Sequence, residues 1–297
     1  MNILVAGASG FVGRRLCPAL EKAGHTVRAM TRAPESYRGA GHPVGADIDD
    51  QAALREALAG CAAAYYLVHS LDSTDFAIRD ARAARGFGQA CARAGVGRII
   101  YLGGLGDDTD DLSEHLRSRR QVETLLATAG VPVTTLRAGI IVGHGGISWE
   151  ITRQLVQRLP VMVTPRWVRT RTQPIAIADV TRYLIGVLDV PEAAGRAFDV
   201  GGPEVLTYED MMRRLADIQG RQQVLVPVPL LSPNLSSWWL SLVTDVDTNT
   251  GRSLVASMYN EVVVQENDIQ DLVPFEPMDY DQAVLAALGE RARERRQ

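Results

Sequence analysis

Lysine is nearly missing from this chain: of 31 basic residues in 297, only Lys22 is a lysine and the rest are arginine. Chemistry that needs a lysine amine must use Lys22 or go without. Cysteine is scarce too. Cys17, Cys61 and Cys91 stand far apart, with no C-x-x-C pair and no histidine cluster beside them, so neither a disulfide framework nor a metal site is expected. No apolar run reaches the roughly 18 residues of a membrane span. The opening MNILVAGASG has neither a charged leader nor a small-residue cleavage site. A cytoplasmic protein without membrane association is expected. Charge of one sign is also lacking, since 35 acidic residues against 31 basic ones leave a formal charge of −4. The basic run at Arg291–Arg296 reads as a solvated, fraying helix end, so no nucleic-acid partner is expected. What is present, 46% hydrophobic and 22% charged residues, excludes disorder and allows two domains or one large α/β domain with an appended lobe.

Through the first two hundred residues, short runs of Val, Ile and Leu alternate with longer amphipathic or alanine-rich stretches. That is the βαβ rhythm of a parallel sheet. The pattern predicts strands at Asn2–Ala6, Thr26–Met30, Pro43–Gly45, Ala63–Val68, Arg98–Leu102, Val133–Arg137 and Ala197–Val200. Helices are expected at Phe11–Ala23 and Asp75–Ala94, each closed by a glycine, Gly24 and Gly95, where the chain needs a positive φ. Near Gly201 the texture changes. Pro227, Pro229 and Pro233 crowd one stretch, and Trp238, Trp239, Leu240 and Leu242 no longer alternate with strands. The expected fold is a Rossmann-type doubly wound parallel α/β sheet over residues 1–200, with a smaller C-terminal substrate lobe over 201–297. Residues 143–173 cross partly to that lobe.

The first strand runs into Gly7-Ala8-Ser9-Gly10-Phe11-Val12-Gly13, spaced G-x-x-G-x-x-G, and then into a helix. Gly7 permits the tight turn, Gly10 lets backbone N–H groups approach a pyrophosphate, and Gly13 lets the helix pack closely. The helix N-terminus adds free N–H donors and partial positive charge. Dinucleotide binding follows. At the end of the second strand, Arg28-Ala29-Met30-Thr31-Arg32 carries no acid to receive ribose hydroxyls, whereas Arg32 can pair with a 2′-phosphate. NADP(H) is therefore expected in preference to NAD(H); the other reading of Arg32 is a solvated surface arginine. Asp47 either meets the adenine amino group or caps the helix that follows.

Taken together, GASGFVG, GAD after the third strand, YLVHS after the fourth, YLGGLG after the fifth and LRAGIIVG after the sixth resemble one family. It is the atypical, extended branch of the short-chain dehydrogenase/reductases, the NmrA-like NAD(P)-binding proteins. The LSEHLRSR, RLPVMVTPRWV and TQPIAIADV blocks extend the likeness to nucleoside-diphosphate-sugar epimerase-like members over almost the whole chain. The resemblance implies a cofactor lying across the strand ends. It would contact Ser9, Phe11 and Val12 in the loop, Asp47 and Ile48, Leu67, Val68 and His69, and the backbone of Ala138, Gly139 and Ile140 beside the nicotinamide.

Active members of that family use a Tyr-x-x-x-Lys pair, and this chain departs from it. No tyrosine is followed four residues later by Lys or Arg, and the corresponding helix reads His115-Leu116-Arg117-Ser118-Arg119. His115 and Arg119 keep the i, i+4 spacing and hence one helix face. The expected roles are proton donor for His115 and ribose or phosphate holder for Arg119, against the plainer reading of His115 as a helix-surface residue. The glycines around His144 suggest a lid, Tyr65 and Tyr66 are core before pocket wall, and Asp179 is read as the cap of a helix over Val180–Leu188. Three functions stay open. The first is an NADPH-dependent reductase of a small carbonyl, quinone or activated alkene. The second is a non-catalytic NAD(P)H-binding regulatory or structural protein, and the third, weaker, is a sugar-nucleotide epimerase. The expected partner is a small-molecule substrate; oligomeric state is not legible.

Overall fold

The computed structural model describes residues 1–70, 73, 75–107, 110–227, 244–245 and 248–296. Seven parallel strands form the central sheet: β1 (Asn2–Ala6), β2 (Thr26–Thr31), β3 (His42–Gly45), β4 (Ala63–Tyr66), β5 (Arg98–Gly104), β6 (Val133–Ala138) and an edge strand, Ala197–Val200. In space they run edge strand, β6, β5, β4, β1, β2, β3. The chain thus winds outward in two directions from β1, and a crevice opens where β1 and β4 end side by side.

β1 shows why the sheet is buried on both faces. Ile3 and Val5 belong to one apolar cluster, Leu4 and Ala6 to another, and all four are fully buried. The first cluster is closed by α1 (Gly13–Lys22) and α6 (Ile177–Gly186), the second by α2 (Gln51–Leu58), α3 (Phe76–Ala94) and α4 (Glu114–Ala127). With helices on both sides, a continuous apolar run replaces the alternation of a half-exposed strand. Gly24 and Gly95 follow α1 and α3 with φ of +87° and +71°, the left-handed turn that the sequence suggested for those positions.

A third cluster lies beyond the sheet. It joins Trp149 and Leu155 of α5 (Ile147–Arg158), Met211 and Leu215 of α7 (Tyr208–Ile218), Leu254 and Val255 of a helix Thr248–Ser257, and Val284 of the C-terminal helix Tyr280–Glu294. Within the stretch 143–173, α5 enters this cluster and Val161–Thr164 pairs with Val224–Pro227. Trp238, Trp239, Leu240, Leu242, Pro229 and Pro233 lie outside the described residues. Among the described residues no helix is long and apolar enough to cross a membrane, and no cluster of His, Cys, Asp and Glu could hold a metal ion.

Several boundaries differ from the sequence reading for local reasons. α1 begins at Gly13 rather than Phe11, because residues 7–12 are spent on turns. β4 stops at Tyr66, which frees Leu67 and Val68 to turn into the crevice. Asp179 is not a helix cap: α6 starts two residues earlier, with Ala176 at the cap position. The Asp179 carboxylate is fully buried and accepts the Met278 N–H at 2.8 Å, which ties α6 to the chain entering the last helix. Asp47 does not cap α2 either. That work falls to Asp50, which accepts from the N–H groups of Ala52 and Ala53 at 2.9 and 3.1 Å.

Candidate active site

A cleft of about 680 Å³ lies along the C-terminal ends of the strands, large enough for a dinucleotide half or a small ligand. Its floor at one end is backbone. Gly7 has φ +89°, and a Cβ on Gly13 would collide with the Gly7 carbonyl and come within 2.7 Å of Ala8 Cα, so the loop can sit on the helix only with glycine there. Gly10 differs: a Cβ there would meet only the Gly7 carbonyl oxygen, at 3.2 Å. A side chain at position 10 would fill the cleft instead of the loop. The start of α1 has no side-chain cap; the Arg14 and Arg15 N–H groups donate to the Gly10 and Val12 carbonyls, while those of Val12 and Gly13 have no partner among the described residues and are available to an anion. The loop and helix start fit a pyrophosphate, and Gly7, Ser9, Gly10, Phe11, Val12 and Gly13 all line the cleft.

Around this floor the cleft brings together Arg32, Asp47, Ile48, Leu67, Val68 and His69, and farther along Gly103, Gly104, His115, Arg119, Ala138 and Gly139. Arg32 is exposed and makes no hydrogen bond or ion pair to a described residue. Asp47 folds its carboxylate back onto the Asp49 N–H at 2.9 Å. Ile140 does not line the cleft. Its side chain is buried in the third cluster, and the next wall residue after Gly139 is Ile141, past the end of β6 at Ala138. Tyr65 and Tyr66 are fully buried, and the Tyr65 hydroxyl donates to the Leu184 carbonyl at 2.8 Å.

His115 and Arg119 stand on α4 as the spacing predicts, but their states differ from those of free side chains. Arg119 is buried and ion-paired with Asp80 of α3, itself 1% exposed. Burial pushes the Asp80 carboxyl up while Arg119 pulls against it. The arginine reaches the cleft wall with its charge already countered by the Asp80 carboxylate. Burial, then the charges of Arg119 and His69, push His115 down to about 3. The ring is therefore a neutral imidazole at ordinary pH, not the protonated donor that its residue type suggests. Its Nδ1 lies 3.1 Å from the Ser257 hydroxyl.

The glycine loop after β6 reaches the cleft through Gly145, Gly146, Ile147 and Ser148. His144 itself turns away, with Nδ1 3.1 Å from Glu150 and Nε2 against Glu294, while Trp149 is fully buried in the third cluster. Neither faces the cleft. Sequence reasoning missed Ser70, Arg79, Ser148 and Leu254, which also line it. Ser70 closes the YLVHS motif and Ser148 stands two residues past Gly146, whereas Arg79 lies on α3 well beyond any motif. Leu254 had no signal at all, since the tertiary packing of a distant helix places it.

Comparisons with known proteins agree with this geometry. Residues 7–191 match the model of a family described as NAD(P)H-binding. The chain is 31% identical over 231 residues to (4-alkanoyl-5-oxo-2,5-dihydrofuran-3-yl)methyl phosphate reductase from Streptomyces griseus, covering 74% of each chain. Among solved structures, a triphenylmethane reductase from Citrobacter complexed with NADP(H) superposes with a TM-score of 0.77 at 17% identity, over 96% of this chain and 100% of that one. An NADPH-dependent quinone oxidoreductase from Escherichia coli complexed with NADPH gives 0.76 at 19% identity, over 96% and 99%. At such identities the superpositions speak for the fold. The chain belongs to the NAD(P)H-binding family and shares the Rossmann-like fold of these structures.

Proposed function

We propose that this protein is an NADPH-dependent reductase that delivers hydride to a small quinone, activated alkene or carbonyl compound without a tyrosine–lysine pair. One observation carries the reading: a single cleft joins the uncapped glycine loop, the unpaired Arg32 and the small wall of Gly103, Gly104, Ala138 and Gly139. NADPH supplies the hydride when bound. The loop from Gly7 to Gly13 holds its pyrophosphate, Arg32 its 2′-phosphate, and Asp47 and Ile48 its adenine. Leu67, Val68 and His69 flank it, and the small residues give the acceptor room beside the ring. A proton from water completes the reduction, since the neutral His115 and the paired Arg119 provide no charged acid. The named activity of the Streptomyces griseus relative, a reductase, supports the same class.

NADPH oxidation measured with a quinone, an enone and a simple ketone tests the reading. Turnover of the quinone or enone, faster with NADPH than with NADH, is the expected result. NADPH binding without oxidation by any acceptor would overturn it. That result would favour the second reading, a non-catalytic NADP(H)-binding protein, to which the Asp80–Arg119 pair already gives some weight.

A further inference from the structure

Ser257 ends the helix Thr248–Ser257, whose Leu254 lines the cleft. Its hydroxyl has one hydrogen and three polar neighbours: the Ser253 carbonyl at 3.0 Å, Ser113 Oγ at 2.9 Å and His115 Nδ1 at 3.1 Å. The carbonyl can only accept, so Ser257 donates to it. Ser257 Oγ then accepts from both others, one hydrogen from the Ser113 hydroxyl and one from His115 Nδ1. Ser113 Oγ keeps its lone pair for the Leu116 N–H at 3.2 Å, the cap of α4. Every contact is satisfied at once. If Ser257 donated to either other neighbour, its oxygen would face the Ser253 carbonyl lone pair against lone pair. Asn260 pins the arrangement, accepting the Ser113 N–H at 3.0 Å and donating to the Asp111 carbonyl at 3.1 Å.

With the hydrogen on Nδ1, the free lone pair of the imidazole is on Nε2. His115 lies on the cleft wall and has no other hydrogen-bond partner among the described residues. We propose that Ser257 is a positioning residue that locks His115 in the Nδ1–H tautomer, leaving Nε2 as a hydrogen-bond acceptor for the nicotinamide half of the bound dinucleotide. The choice of partner follows from donor chemistry. A carbonyl, quinone or alkene acceptor offers Nε2 no hydrogen, whereas the nicotinamide half carries ribose O–H and carboxamide N–H donors. His115 thus grips the cofactor and is not the proton source. The inference rests on the dinucleotide-binding part of the proposed function and is independent of turnover.

Long-range ¹H–¹⁵N correlation spectra of the full chain with ¹⁵N-labelled histidine test it, His115 being assigned by the signal lost in His115→Gln. The free protein should show His115 as the Nδ1–H tautomer. NADP⁺ should shift its Nε2 resonance, and adenosine 2′,5′-bisphosphate, which lacks the nicotinamide half, should not. With the 3-acetylpyridine analogue of NADP⁺, a retained shift assigns the donor to the ribose and a lost one to the carboxamide; both support the proposal. Ser257→Ala should give a mixture of tautomers and raise the NADP⁺ dissociation constant about 3- to 10-fold, while Ser257→Thr keeps the wild-type pattern. An Nε2–H tautomer in the wild-type protein would overturn the proposal even if Ser257→Ala does not fold. So would a folded Ser257→Ala with unchanged tautomer and affinity. A failure of NADP⁺ to bind would overturn the cofactor reading and the role of Nε2 together, while the free-protein spectrum still decides the lock.

Discussion

The two ends of the cleft are built differently. At the glycine-loop end the ligand-facing groups are backbone N–H groups and missing side chains; at the α4 end they are side chains held by partners far away in sequence. Asp80 is 39 residues from Arg119, and Ser257 is 142 from His115. The first end depends on local spacing, the second on the finished tertiary structure. Substitutions at the two ends should therefore fail in different ways, in binding alone at the loop end and in stability as well as binding at the α4 end.

The largest effect is expected at the α4 end. Arg119→Met leaves the Asp80 carboxyl buried without its cation and should cost about 3–5 kcal/mol of unfolding free energy, read from urea denaturation. Asp80→Asn in the same chain should recover part of that loss. At the loop end, Gly10→Val should keep the thermal transition while weakening NADPH binding by about 100-fold or more, as a fluorescence titration would show. A Gly10→Val protein that binds NADPH normally would erase the contrast. Arg32→Ala should remove most of the preference for NADPH over NADH, about 10- to 100-fold in the ratio of affinities.

The sequence made the first end readable because its information is local. Gly7, Gly10 and Gly13 announce a turn, an approach and a packing contact within seven residues. The strand pattern announces the sheet for a similar reason, since burial on both faces leaves an apolar run that needs no partner to be recognised. The spacing of His115 and Arg119 was equally visible, but their states were not. A neutral ring and a neutralised guanidinium depend on burial and on Asp80, which no local pattern ties to α4. Asp179 failed by a small displacement: α6 starts at Ile177 instead of the expected Val180.

Three smaller effects sharpen the comparison further. His115 has its folded-state value depressed to about 3, so the unfolded chain takes up a proton below its ordinary value while the folded one does not. Its contribution to stability is full above about pH 6.5 and is lost as pH falls toward 3, with a slope of at most about 1.4 kcal/mol per pH unit. His115→Gln should flatten that part of a stability–pH curve. Asp50→Ala, which removes the cap of α2, should cost about 1 kcal/mol and leave NADPH affinity unchanged. Asp47→Ala, three residues earlier, should do the reverse.

The loop after β6 has a bearing on how the protein is made. Arg14 and Arg15 donate to the His144 carbonyl at 3.0 and 2.7 Å, Arg15 also pairs with Glu290 at 2.6 Å, and the His144 ring meets Glu294. The wall formed by Gly145 to Ser148 is thus tied to the start of α1 and to the helix Tyr280–Glu294, far along the chain. During synthesis, β1 to β6 can assemble early, as N-terminal units commonly do, with Arg14 and Arg15 already able to hold the His144 carbonyl, yet the ties to Glu290 and Glu294 form only once those residues emerge. A nascent chain would therefore carry a formed glycine loop beside an unfinished wall, and the cofactor would meet its complete binding site only after the helix Tyr280–Glu294 has docked.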